Sequence, residues 1–243
     1  MKLLLVDAGN SRVKWALTQG NDWLHREVLD NAQAAMLPAV FAGLPVPDRI
    51  LVSNVAGPNR VQQLQHACRR WSCPLEFVTA RREQCGVHNC YEQPGQLGSD
   101  RWAALIAAWQ LERAACLVVN CGTATTVDAL SATGDFLGGL ILPGIQMMQR
   151  TLVTDTANLV AGAGSWREFP RNTADALFTG AVQATAGAIR MQFASLSGQG
   201  SARCLLSGGD AGLIEEHLAL PVVRVEDLVL RGLHHIGLTM ETE

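Results

Sequence analysis

Long apolar runs are missing from this 243-residue chain, and none approaches the ~20 residues that a membrane-spanning helix needs. The opening "MKLLLV" resembles the start of a signal peptide, but Asp7 cuts the apolar stretch far short. The expectation is a cytoplasmic protein with no membrane partner. Excess basic charge is missing too: a formal net charge of −3 leaves no electrostatic footprint for nucleic acid. Both common nucleotide fingerprints, GxGxxG and GxxxxGK[ST], are absent. So is a disulfide framework. The seven cysteines are an odd count, scattered through apolar segments such as "AACLVV" and "ARCLLS", which suits buried reduced thiols. In "CGVHNC", Cys85, His88 and Cys90 offer three ligands where a structural zinc takes four, so the segment reads as a loop with ordinary cysteines. What is present, 48% hydrophobic and 17% charged residues, is globular.

Strand-like runs lie near 2–7, 12–18, 49–54, 75–79, 116–120, 124–131, 136–142, 202–206 and 222–225. Helical patterns lie near 59–71, 99–113, 173–195, 209–218 and 227–239. The alternation predicts an α/β architecture. The chain also resembles itself. "LLLVDAGNSRVKWAL" (3–17) and "CLVVNCGTATTVDAL" (116–130) share Leu4/Leu117, Val6/Val119, Gly9/Gly122, Ala16/Ala129 and Leu17/Leu130 at an offset of 113. This predicts two related halves, 1–113 and 114–243. Each opens with a strand, a tight polar turn and a second strand.

Such turns have a chemistry. Glycine permits positive φ and close approach of a ligand to the backbone. Successive backbone N–H groups there form an anion-binding concavity. Asn10, Ser11, Thr123 and Thr125 add neutral donors, and Lys14 adds a cation on a flexible stem. Asp7 would repel a phosphate directly, but a carboxylate can hold Mg²⁺, often through water. Read alone, each turn could be an ordinary hairpin; two related copies favour a phosphate grip. "LLSGGD" (205–210) breaks a strand into two glycines ahead of a helix, where a flat or charged ligand could approach. In "QLGSDRWAALIAAW", Ser99 is the expected N-cap of a helix, with Asp100 and Arg101 in its first turn. A cation is disfavoured at that end unless it meets an anion.

Taken together, "DAGNSRVK", "GSDR", "NCGTATTVD", "GGLILPG", "NTADALFTG", "LSGGD" and "LVLRGL" occur in the order seen in type III pantothenate kinases, and the resemblance runs from residue 3 to about 233. It implies two ribonuclease-H-like domains of the actin, sugar-kinase and heat-shock ATPase superfamily, with a cleft between them. It implies ATP-dependent phosphorylation of the pantothenate 4′-hydroxyl, the first step toward coenzyme A. Position by position, Asp7, Gly9, Asn10, Ser11 and Lys14 resemble the first phosphate motif, with Asp7 toward Mg²⁺. Gly122 and Thr123 resemble the second, and Gly208 and Gly209 the adenosine motif. Asp100 matches the proton acceptor. Tyr91, Gly98, Ser99 and Arg101 match the pantothenate site, and Thr173 a residue contributed by a partner subunit, so a homodimer is implied. Relatives often carry Asp where Asn120 stands, a position associated with a monovalent cation such as K⁺; the amide puts that ion in doubt. The other readings are a different small-molecule kinase of the superfamily and a non-enzymatic regulatory accessory factor.

Overall fold

The computed structural model describes residues 1–156, 162–197 and 201–240. The chain forms two compact units, one of Met1–Leu111 with Asp227–Glu243 and one of Glu112–Glu226.

The first unit contains β1 (Lys2–Ala8), β2 (Arg12–Gln19), β3 (Asp22–Asp30), α1 (Leu37–Ala42), β4 (Arg49–Asn54), α2 (Pro58–Cys68), β5 (Leu75–Phe77), β6 (Glu83–Gln84) and β7 (Val87–Asn89), and then α3 (Ser99–Glu112). Its five-stranded sheet has the order β3-β2-β1-β4-β5. The hairpins β1–β2 and β2–β3 are antiparallel, whereas β4 runs parallel to β1 and to β5. β1 reads as a continuous apolar run because Leu3, Leu4, Leu5 and Val6 are all fully buried, as a strand covered on both faces requires. One face packs Leu4, Val6, Trp15 and Leu17 against Leu37 and Phe41 of α1 and Leu64 of α2.

The second unit contains β8 (Cys116–Cys121), β9 (Ala124–Leu130), β10 (Asp135–Pro143), α4 (Ile145–Asp155), α5 (Thr173–Ser197), β11 (Arg203–Ser207), α6 (Ala211–Glu215) and β12 (Val222–Arg224). Its strands follow the order β12-β11-β8-β9-β10. The hairpin β8–β9 is antiparallel, and β11 runs parallel to β8 and β12. The core is built from Val119, Val127, Leu206 and the inner face of α5, with Val182, Ala186 and Ile189.

The last helix, α7 (Leu228–Thr239), lies with the first unit, so the residues from Asp227 onward do not follow the expected 114–243 half. The reason is packing. A side chain at Gly232 would overlap the Ala103 backbone of α3, and one at Gly237 would lie 2.6 Å from Leu3 and Leu51. Small residues thus let α7 seat its apolar face, with Leu228, Leu233 and Ile236 buried, against α3, β1 and β4.

The pairing register also refines the internal repeat. Ala8 pairs with Val13 but Cys121 pairs with Thr125, so the second turn is one residue shorter. Leu4 therefore faces Leu17 whereas Leu117 faces Ala129. The identities Ala16/Ala129 and Leu17/Leu130 are out of step by one position, and the cross-strand counterpart of Lys14 is Thr126.

Candidate active site

The first polar turn is held from both sides. Within it, Gly9 N–H donates to Arg12 O at 3.0 Å. From the end of β3, Asn31 Nδ2 donates to the carbonyls of Gly9 and Asn10, and Asn31 N–H donates to Ser11 O. With the carbonyls engaged in this way, the turn keeps Asn10 and Ser11 exposed. Asn31 carries no local sequence signal of this role, because it lies twenty residues from the turn it braces. Asp7 and Lys14 stand directly across the β1–β2 ladder. The Asp7 carboxyl is pushed up to about 7, first by burial, then by the negative charge of Asp100, while Lys14 pulls it down and Asp227 pushes it up.

The second unit carries the other turn. Gly122 N–H donates to Ala124 O at 3.1 Å, and Gly144 N–H donates to Thr123 O at 3.0 Å. A side chain at Gly144 would overlap Gly122 O and lie 2.7 Å from Thr123 O, which explains the last glycine of "GGLILPG". Gly208 has φ +101°, and a side chain there would overlap the Cys121 backbone at the end of β8. Asp210 N–H donates to Cys121 O at 3.1 Å, tying "LSGGD" to the second turn. Asn120 lies on β8 between Thr126 of β9 and Ser207 of β11.

Around α3 a second polar cluster forms within the first unit. Asp100 Oδ1 accepts the Arg101 N–H at 2.8 Å. Burial raises the Asp100 carboxyl, opposed by that N–H and by the Arg101 charge. Arg101 is only 6% exposed; its Nη1 donates to Tyr91 Oη at 3.2 Å, and its guanidinium lies 5.8 Å from the Tyr91 ring centroid. Tyr91 is fixed in turn, its N–H donating to Asn89 Oδ1 and its carbonyl accepting from Arg82. Ser99 is not the expected N-cap but the first helical residue, and its hydroxyl pairs with Ser53 Oγ at 2.9 Å. Gly98 O accepts Trp102 N–H at 3.0 Å, so the helix begins one residue earlier in its hydrogen bonding. Asp7, Lys14, Tyr91, Gly98, Ser99, Asp100 and Arg101 thus share one unit, whereas Gly122, Thr123, Gly208 and Gly209 belong to the other.

Thr173 belongs to the second unit. It is exposed at the start of α5, where Asn172 caps the helix by accepting Asp175 N–H at 2.9 Å and donating to its carboxylate at 2.8 Å. It lines an open apolar groove of about 880 Å³ with Pro143, Leu152 and Leu177. In "CGVHNC" the chain forms the β6–β7 hairpin, with Cys85 at φ +53° and His88 Nε2 3.2 Å from Glu83 Oε1. No group of three metal-ligating side chains occurs among the described residues.

The sequence model for type III pantothenate kinases matches residues 3–195. The chain belongs to this family. A type III pantothenate kinase of Aromatoleum aromaticum is 48% identical over 231 residues, covering 95% of this chain and 96% of the relative. One of Nitrosospira multiformis is 47% identical over 233 residues, covering 95% and 89%. Among solved structures, an activator of 2-hydroxyisocaproyl-CoA dehydratase from Clostridium difficile with bound ADPNP aligns with TM-score 0.52 at 12% identity, over 98% of this chain and 94% of that one. MreB5 of Spiroplasma citri bound to ADP aligns with TM-score 0.54 at 10% identity, over 99% and 96%. At such identities the likeness concerns the fold, which is that of the actin, sugar-kinase and heat-shock ATPase superfamily.

Proposed function

We propose that this protein transfers the γ-phosphoryl group of ATP to the 4′-hydroxyl of pantothenate, opening the route to coenzyme A. The observation that carries the reading is the Asp100–Arg101–Tyr91 cluster in the same unit as the Asp7–Lys14 turn. A small anionic, hydroxylated substrate needs a cation to orient it and a carboxylate to take its proton. Arg101, braced on Tyr91, supplies the first, and Asp100 the second, with Gly98 and Ser99 shaping the start of the helix between them. A partly raised carboxyl suits proton acceptance, since basicity rises with pKa.

Phosphoryl transfer is mostly positioning and charge neutralisation. In this reading the amides of Asn10 and Ser11 and the Lys14 ammonium are the phosphate donors of the first unit and the Thr123 amide that of the second. Gly9 and Gly122, whose own N–H groups close the two turns, keep side chains out of the ligand's way, and Gly208 and Gly209 admit the adenosine. Asp7 fits a divalent cation such as Mg²⁺. It is a half-buried carboxylate, and a cation there offsets the desolvation that lifts its pKa. When bound, the cation supplies neutralisation of the phosphate charge. Asn120 offers an amide oxygen and no charge, so this enzyme needs K⁺ little; initial rates in potassium against tetraalkylammonium salt test that, and a steep requirement for potassium contradicts it.

We further propose a homodimer, with Thr173 offered to the neighbouring subunit's pantothenate. The open apolar groove lined by Thr173 supports this, as does the large exposure of Ile141 and Met191 in the same unit. Sedimentation velocity should give a dimer; a monomer at assay concentration removes the shared site. The substrate is a soluble metabolite, and the proposed compartment is the cytoplasm. The activity itself is tested by ADP release with and without pantothenate. Release that ignores pantothenate points to another phosphotransferase, and no release points to a regulatory protein.

A further inference from the structure

Lys14 has two carboxylates to choose from. Asp7 lies directly across the β1–β2 ladder, where cross-strand side chains sit about 5 Å apart at Cβ. Asp227 lies at the start of α7. The ammonium is turned to Asp227, with Nζ 3.2 Å from Oδ1. Among the described residues no ion pair joins Lys14 to Asp7.

Asp227 is built for this contact. It stands at the N-cap position of α7, and Arg231 N–H donates to its carbonyl at 3.0 Å. An aspartate there normally turns its carboxylate to the helix amides. Here the side chain makes no capping bond, and the backbone takes φ +53°. Asp is among the few residues that tolerate this left-handed conformation. The other oxygen, Oδ2, accepts from Arg26 Nη1 of β3 at 2.9 Å, which fixes the carboxylate's rotation. Arg26 pairs with Ala16, two residues from Lys14, so the two cations rise from one face of the sheet. The carboxylate side chain is 14% exposed, against 30% for Lys14 and 47% for Arg26. The forgone cap, the left-handed backbone and the two-sided grip have a common result: the Lys14 ammonium is held away from its cross-strand neighbour.

We propose that Asp227 is a positioning residue for ATP use. It keeps the Lys14 ammonium off Asp7, so that Lys14 remains available to phosphate and Asp7 to a divalent cation. The C-terminal helix thereby contributes to the phosphate turn, although no motif in it has that chemistry. This rests on the reading of the Asp7–Lys14 turn as an ATP site. Without Asp227, Lys14 falls back on Asp7 and each cancels the other's charge.

The test is a double-mutant cycle on MgATP affinity, measured by calorimetry and by the KM for ATP. Asp227→Asn keeps the size and the tolerance for left-handed φ. It should weaken MgATP about tenfold, the scale of one charge-assisted hydrogen bond, and leave the KM for pantothenate unchanged. In a Lys14→Ala background the same substitution should change nothing further, because the group it positions is gone. Asp227→Glu should recover part of the loss. Unchanged ATP affinity in a folded Asp227→Asn protein overturns the proposal, and so does an undiminished effect in the Lys14→Ala background, which is what a merely structural role gives. If Lys14→Ala itself leaves MgATP affinity unaltered, the ATP-site reading fails and this proposal falls with it.

Discussion

The Asp100 carboxylate occupies the space that a side chain at residue 98 would fill: a Cβ on Gly98 would lie 2.6 Å from Asp100 Oδ1. Glycine at this point is therefore a condition for the rotamer that Asp100 adopts, and not merely a helix-start residue. Gly98→Ala should displace the carboxylate and lower turnover about 10²-fold, the cost of a misplaced catalytic group, with ATP affinity little changed. Steady-state kinetics with ATP and pantothenate varied separately check this; near-normal turnover would mean that the carboxylate has room to move without loss.

Gly232 makes the corresponding prediction for stability. Its Cβ would overlap the Ala103 backbone, and backbone cannot rotate away as a flexible side chain can. Gly232→Ala should lower unfolding free energy by about 1–3 kcal/mol through overpacking, despite alanine's better helix propensity. Urea denaturation of the two proteins measures it, and an equal or raised midpoint would show that α7 is free to shift on α3.

A third prediction concerns pH. The Asp7 carboxyl moves from an ordinary value of 3.8 to about 7 in the fold. Across that window the folded protein holds a proton at Asp7 that the unfolded chain has released. This group's contribution to stability therefore falls as pH rises through the window and is constant above it. A cation binding at Asp7 must displace the same proton, so its affinity should climb with pH until about 7. Calorimetry of the preformed Mg²⁺– or Mn²⁺–nucleotide complex at about pH 6, in buffers of different ionisation enthalpy, should show about one proton released. Near pH 8, or in Asp7→Asn, that release should vanish. Equal release at both pH values would separate the cation from Asp7.

The hairpins were legible in sequence because an apolar run ending in Asp-Ala-Gly-Asn or Asn-Cys-Gly-Thr has few structural solutions. α3 and α5 were legible from sustained apolar periodicity, and α5 runs from Thr173 to Ser197 against an expected 173–195. β3 was not, because most of its residues are exposed and it sits at the sheet edge, so no alternation marks it. α4 went unread for a related reason: Ile145 is its only buried residue. α1 is six residues long and carries a proline in its first turn, too short for a periodic signal. Of the site, Asp7, Lys14, Asp100 and Arg101 announce themselves through chemistry placed at turns and helix starts. Asn31, Gly144 and Asp227 act on those turns from distant positions, and only the pairing register and the return of α7 reveal them.

In the proposed reaction Asp100 accepts the pantothenate hydroxyl proton as phosphate is transferred. The most direct measurement is product identification by mass spectrometry during turnover, for the unmodified protein and for Asp100→Asn, at saturating MgATP. 4′-Phosphopantothenate should form in step with ADP. Turnover should be lower by about 10²–10⁴-fold in Asp100→Asn, with nucleotide affinity nearly unchanged. ADP formed without phosphopantothenate, or an Asp100→Asn protein that turns over normally, would contradict it.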